Sequence, residues 1–283
     1  MVWRFVKLLL WVIPPVLILL AVAMVLWFRK DVMQHDNKVA GEISDLRKAP
    51  VEKYDFGLDK FDQAVALLES GQNDDARRAL LGMLRAHRDS ARAYDAMRLL
   101  GQMNMDRLFD STVASPGKKR VEVNRGDSIN KLAADNQCTF QYIVRANNLA
   151  KPDAIQPHDQ LWVCPLNFSV IVRAAEKRLI VMDGDLFFTV FPVMEIRKSP
   201  GAKLPMKGSV GQKFGVAGGK RLQPGDDDMV AAEKWIEIGG DWAIRSVKAG
   251  AQPPAGFGIF LAEADADDLF AILRKGNRVE LNP

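Results

Sequence analysis

The chain has 283 residues, of which 48% are hydrophobic and 26% charged, with a formal net charge of +4. That length allows two or three small modules, and the apolar content rules out wholesale disorder. The modest charge argues against nucleic acid as a partner, and two cysteines and three histidines are too few for a multi-cysteine or histidine-rich metal site, so no cofactor is expected.

Leu8 to Phe28 form a 21-residue run without a charge. As a helix it would be roughly 31 Å long, enough for a bilayer core. Arg4 and Lys7 precede it and Arg29 and Lys30 follow, with Trp11 and Trp27 near its ends. Ala21-Val22-Ala23 satisfies a signal-peptide cleavage rule, but the apolar run continues past it to Phe28. An uncleaved anchor over residues 1–30 is therefore expected, with residues 29–283 outside the cytoplasm. Residues 31–57, polar and containing Pro50 and Gly57, read as a stalk with helix over Val32–Lys48.

Residues 58–113 carry helical periodicity. Phe61, Ala64, Val65, Leu67 and Leu68 form one apolar face, and Ala76, Leu80, Leu81 and Leu84 form a second. Gly71 to Asp74 read as a turn capped by Asn73 or Asp74. A third face, Ala93 to Leu100, is expected to end at Gly101. The spacing of Leu68, Gly71, Ala76, Leu80 and Leu84 resembles a tetratricopeptide repeat, with room for only about one and a half repeats. A packing hairpin within residues 31–117 is expected rather than a peptide-binding array, and Ser115-Pro116-Gly117 reads as a linker.

From Val121 the pattern is strand, helix, helix, strand. Val121-Glu122-Val123 alternates, Arg125-Gly126-Asp127-Ser128 turns into a helix through Ile129, Leu132 and Ala133, and a second helix carries Ile143, Val144 and Ala146. Asn147-Asn148-Leu149 and Pro157 then precede the strand Leu161-Trp162-Val163. Gly126-Asp127-Ser128-Ile129, Leu132-Ala133, Asn147-Asn148-Leu149, Pro157 and Leu161 resemble the LysM family over residues 118–166, with His158 where the family carries glycine. The resemblance implies an α+β (βααβ) module that binds N-acetylglucosamine-containing glycan of peptidoglycan, in a groove between Gly126, Asp127, Ser128 and Ile129 and the loop Asp153, Ala154 and Ile155. Helix capping by Asp127 and Ser128, and core packing by Ile129 and Ile155, are the competing roles. The antiparallel arrangement of the two strands brings Cys138 and Cys164 to one pole, as a disulfide or as two buried thiols.

Residues 167–283 read as mainly β. Phe168–Val172 alternates, and Arg178–Met182 and Leu186–Phe191 flank the turn Asp183-Gly184-Asp185. This start, with Phe191-Pro192-Val193, resembles an L,D-transpeptidase (YkuD-like) catalytic domain. So does the end: Ile244-Arg245-Ser246, Ala255 to Leu261, Asp265-Ala266, Leu269-Phe270, and Gly276 with Val279. In that register the family's catalytic cysteine falls on Gly258, its serine on Ala255, its arginine on Phe260 and its histidine on Arg245. No cysteine occurs from Pro165 onward and no histidine after His158. No catalytic residue is therefore assigned, and a pseudoenzyme is expected. Arg245 remains a candidate carboxylate donor, and Phe257 and Phe260 candidate groove residues. Asp226-Asp227-Asp228 and the pair Ser246 and Lys248 are weaker candidates for calcium and for nucleophilic chemistry.

The expected protein is thus a single-pass inner-membrane protein of the bacterial envelope, facing the periplasm, that binds peptidoglycan and scaffolds or regulates other envelope proteins. The alternatives are a transpeptidase-type enzyme with a relocated nucleophile, or an adaptor using the helical hairpin.

Overall fold

The computed structural model of the chain describes Met24 and residues 54–283 except 116, 152, 153 and 230. No helix among the described residues is long and apolar enough to cross a membrane. The membrane-spanning helix expected over Leu8–Phe28, and the single-pass inner-membrane placement drawn from it, are corrected on that finding. An uncharged run meets the length of a span without fixing a spanning helix. Apart from Met24, the run lies outside the described residues, as do residues 31–53 of the expected stalk.

Residues 55–283 form one compact unit. It opens with three helices, α1 (Phe56–Glu69), α2 (Asn73–Ala86) and α3 (Ala93–Phe109). Asp55 sets the start of α1: Oδ1 accepts from Gly57 N at 2.9 Å, and Oδ2 accepts from Ser90 Oγ and Ala91 N, both at 2.9 Å. Three donors favour the charged carboxylate and hold it below its usual range, the Ala91 amide most of all. Gly57, expected in the stalk, lies in the first turn of this helix. The α2 cap is Gln72, without a side-chain bond, and Asn73 and Asp74 fall inside the first turn instead of capping it.

Gly101 does not end the third helix, which runs on to Phe109. It is a contact point: a Cβ there would lie 2.5 Å from Thr189 Oγ1 on the sheet. One turn on, buried Asn104 donates from Nδ2 to Phe188 O at 2.7 Å. The third helix therefore docks on the β domain. Ala64, Leu80, Met83, Ala96 and Leu100 fill the helical core, with Phe187 of the sheet packed against it.

Next come β1 (Lys119–Glu122), α4 (Ile129–Asp135), α5 (Phe140–Ala146) and β2 (Gln160–Val163), the expected βααβ order, with β1 antiparallel to β2. The last part comprises β3 (Phe168–Arg173), β4 (Arg178–Asp183), β5 (Leu186–Arg197), β6 (Met206–Ser209), β7 (Lys213–Ala217), β8 (Lys220–Leu222), β9 (Glu233–Gly239), β10 (Trp242–Val247), β11 (Gly258–Ala262), α6 (Glu263–Ile272) and β12 (Arg278–Asn282). Its ten strands run in the order β6-β12-β3-β4-β5-β11-β10-β9-β7-β8. The sheet curls so far that a Cβ on Gly208 in β6 would lie 2.4 Å from Ile238 O in β9. Helix α6 packs against β9, β10 and β11, burying Ala266, Leu269 and Phe270. Lys213 closes its C-terminal end, donating from Nζ to the carbonyls of Phe270 and Leu273, while burial pushes its ammonium down to about 7.

The βααβ module is fastened to its neighbours through α5 and β2. Thr139 Oγ1 donates to Ala271 O, Arg145 pairs with Asp268 and lies 4.0 Å from the Phe109 ring centroid, and Trp162 Nε1 donates to Ser111 O at 2.7 Å. One continuous apolar core joins Leu108, Tyr142 and Ile143 to Leu269 and Ile272.

Cys138 and Cys164 are free thiols here, not the bridge expected as one alternative. They do share a pole, where Leu166 N donates to Gln137 O at 2.9 Å. Both pack as small apolar side chains, and burial pushes Cys138 up to about 12 and Cys164 up to about 11. The reactive thiolate is therefore scarce near neutral pH. Iodoacetamide at pH 8 is expected to label neither residue appreciably in the folded protein, and both promptly in denaturant without reductant. Mass spectrometry separates this from a bridged pair, which would stay unlabelled in denaturant until reduced.

Candidate functional site

In the βααβ module, the residues expected to form a glycan groove serve the backbone first. Gly126 takes φ +86° in the turn before α4. Asp127 closes that turn: Oδ2 accepts from Asn124 N at 2.9 Å and Oδ1 from Lys131 Nζ at 2.6 Å. The Lys131 bond, then the Asn124 amide, hold its carboxyl below the usual range. Ser128 caps α4, its Oγ accepting from Lys131 N at 3.3 Å. Ile129 is buried, and half-buried Ile155 packs against the same core. Ala154 is exposed, and Asp153 lies outside the described residues. Gly126, Ser128 and Ala154 are exposed, whereas the Asp127 carboxylate is already engaged. The docking contacts come from Thr139, Arg145 and Trp162, a set that shares no residue with this groove.

His158 keeps the left-handed conformation that a glycine would adopt, with φ +76°, and its Nδ1 lies 2.7 Å from Glu122 Oε1. The side chain adds a contact to Glu122 of β1.

In the β domain, parallel pairing of β10 with β11 sets Arg245 opposite Phe260. This register brings together all four positions singled out from the sequence, Arg245, Ala255, Gly258 and Phe260. Arg245 is 4% exposed. Its Nε donates to Glu233 Oε1 at 2.8 Å and Nη1 to Ala255 O at 3.0 Å. Its guanidinium lies 4.0 Å from the Trp235 ring centroid and 5.1 Å from that of Phe260. The role expected for Arg245 as a carboxylate donor is corrected: its donors serve Glu233 and the main chain, in a setting closed to solvent. Phe260 is fully buried and lines no groove, whereas Phe257 is exposed.

Arg197, unnoticed in the sequence, holds the same segment from β5. It grips Glu195 with Nε and Nη2 at 2.6 and 2.7 Å, and donates from Nη1 to Pro254 O at 2.7 Å. Only its place at the end of a long strand, opposite Gly258, reveals this role. Gly258 has φ +144°, and a Cβ there would lie 2.8 Å from Ala243 O and 3.2 Å from Arg245 Cδ. Ser246 is buried, its Oγ accepting from Lys234 N at 2.8 Å, while Lys248 is exposed. The neighbouring Lys234 side chain pairs with Asp267 at 3.0 Å. Asp226 closes a turn through Gln223 N at 2.7 Å.

Comparison with known families matches residues 121–163 to the LysM domain. No curated protein matches the chain. Similar solved structures include a fused Zn-dependent amidase/peptidase/peptidoglycan-binding domain-containing protein from Clostridium acetobutylicum, at 16% identity, covering 41% of this chain and 51% of that one, with TM-score 0.31. They also include L,D-transpeptidases from Stackebrandtia nassauensis (14% identity, 41% and 56% covered, TM-score 0.31) and Mycobacterium smegmatis (9%, 41% and 59%, 0.30). The chain spans between half and three-fifths of the length of these structures.

Gly258→Cys, which places a thiol where the transpeptidase resemblance calls for one, is expected to destabilise the protein by about 1–3 kcal/mol, through backbone strain and the approach to Ala243 O. It should gain no reactivity toward acylating β-lactams. Thermal denaturation and intact-mass measurement after incubation with a carbapenem check both parts.

Proposed function

We propose that this protein binds peptidoglycan through its LysM domain and presents a transpeptidase-like β domain that performs no transpeptidation. The observation that carries the reading is the LysM match over residues 121–163. It is supported by a geometry in which α5 and β2 dock on the rest of the chain while Gly126, Ser128 and Ala154 stay exposed. The ligand is glycan containing N-acetylglucosamine. Backbone amides meet its N-acetyl oxygens, and the rim of Ile155 meets its methyl and ring faces. An envelope location follows from where such glycan is found.

The β domain acts as a scaffold in this reading. Acyl transfer by the resembled mechanism needs a thiolate, a base and donors for a developing oxyanion. From Pro165 onward the chain supplies neither cysteine nor histidine. The polar groups at the corresponding place are consumed internally: Arg245 by Glu233 and Ala255 O, and Ser246 by Lys234 N. Because the LysM core continues into α6, glycan engagement would be transmitted as the placement of one rigid body on the wall.

Pull-down on purified sacculi tests the binding. Ala154→Glu and Ile155→Asp are expected to reduce the bound fraction at least several-fold, with far-ultraviolet circular dichroism unchanged for Ala154→Glu. Retention of full binding by both variants would place the glycan site elsewhere.

A further inference from the structure

Among the described residues lies a cavity that shares no lining residue with the expected LysM groove. It has a volume of about 500 Å³ and opens where the helices meet the turn between β4 and β5 and the chain that links the LysM domain to its neighbours. Its size lies in the range that takes small organic ligands. The walls are of two kinds. Leu186 and Phe188 supply apolar surface, and Arg77, Asn104, Arg107 and Asp183 supply polar groups.

The two arginines are held but not spent. Arg77 Nε donates to Asn104 Oδ1 at 2.8 Å, and Asn104 is itself buried and fixed by its bond to Phe188 O. The guanidinium is thus oriented through an anchor on the sheet. Its terminal amino groups make no hydrogen bond among the described residues. Arg107 reaches Asp74 with Nη1 at 2.7 Å, while its Nε is buried without a partner. A buried N–H lacking an acceptor is unfavourable, and an incoming acceptor relieves it. Asp74 meets Arg107 from outside the cavity through Nη1, and Asp183 lies on the wall. Two preoriented guanidiniums beside apolar walls suit a planar anion with an apolar body, since guanidinium donors match a carboxylate in pairs. An uncharged acceptor could meet the same donors, but without the charge-assisted, paired hydrogen bonds that a carboxylate makes to a guanidinium.

We propose that this cavity binds a small amphipathic carboxylate, with the anionic head at Arg77 and Arg107 and the apolar part against Leu186 and Phe188. The site is independent of the LysM groove and of the proposed glycan binding.

Isothermal titration of the full-length protein with N-acetyl-leucine, and with N-acetyl-leucinamide as the uncharged counterpart, tests it. The acid is expected to bind saturably and the amide at least tenfold more weakly. Arg107→Gln should weaken the acid at least tenfold while leaving the melting temperature nearly unchanged, because the ion pair it removes is largely exposed. Leu186→Trp alters an exposed rim residue and fills the cavity without changing its charge. It should abolish binding of the acid, and it decides the matter if Arg107→Gln fails to fold. Failure of the acid to bind, equal binding of acid and amide, or binding that survives Leu186→Trp would overturn the proposal.

Discussion

A guanidinium buried in protein costs several kcal/mol in lost hydration unless its donors are met. Arg245 is such a group, and the C-terminal half of the chain is arranged around meeting its demands. Glu233 comes from β9, the Ala255 carbonyl from the segment before β11, and the faces of Trp235 and Phe260 from strands on either side. Gly256 and Gly258 leave the space: a Cβ on Gly256 would sit 3.0 Å from Arg245 Nη1. Arg197 then secures the same segment through Pro254 O. The result is a closed cluster whose polar groups satisfy one another.

The LysM domain shows the same economy of side chains. Asn147 accepts from Trp162 N at 2.6 Å and donates to Trp162 O at 3.0 Å, tying the end of α5 to β2. Asp127 and Ser128 shape the turn and the cap, so the groove edge is presented by backbone whose position those side chains fix. Thr139 caps α5 while its hydroxyl reaches the end of α6. Helix α5 therefore has one surface in the LysM core and another on the β domain.

Local features were legible in the sequence because their causes are local. Ser128 caps a helix by accepting from an amide three residues on, and Asp183-Gly184-Asp185 turns between two alternating runs, with Gly184 at φ +58°. Arg245, Ala255, Gly258 and Phe260, singled out by resemblance, meet through the pairing of β10 with β11. Contacts between distant segments were not legible. Gly101 reads as a helix stop, yet its use is the close approach of Thr189, 88 positions away in the chain. Asn104 and Arg197 carry no local signature, since their partners, Phe188 O and Pro254 O, are defined only by the fold. Arg245 looked available for a ligand because no sequence pattern records that Glu233 lies across the ladder. The uncharged run at Leu8–Phe28 satisfied a length rule, which alone does not establish a span.

The central claim is a protein that holds the wall without remodelling it. Its most direct test is incubation of the purified protein with disaccharide-tetrapeptide muropeptides and a D-amino acid, followed by mass spectrometry of the muropeptides and of the intact protein. The account predicts unchanged muropeptides and no acyl adduct on the protein. Exchanged or cross-linked muropeptides, lost on replacing a single residue of the β domain, would contradict it.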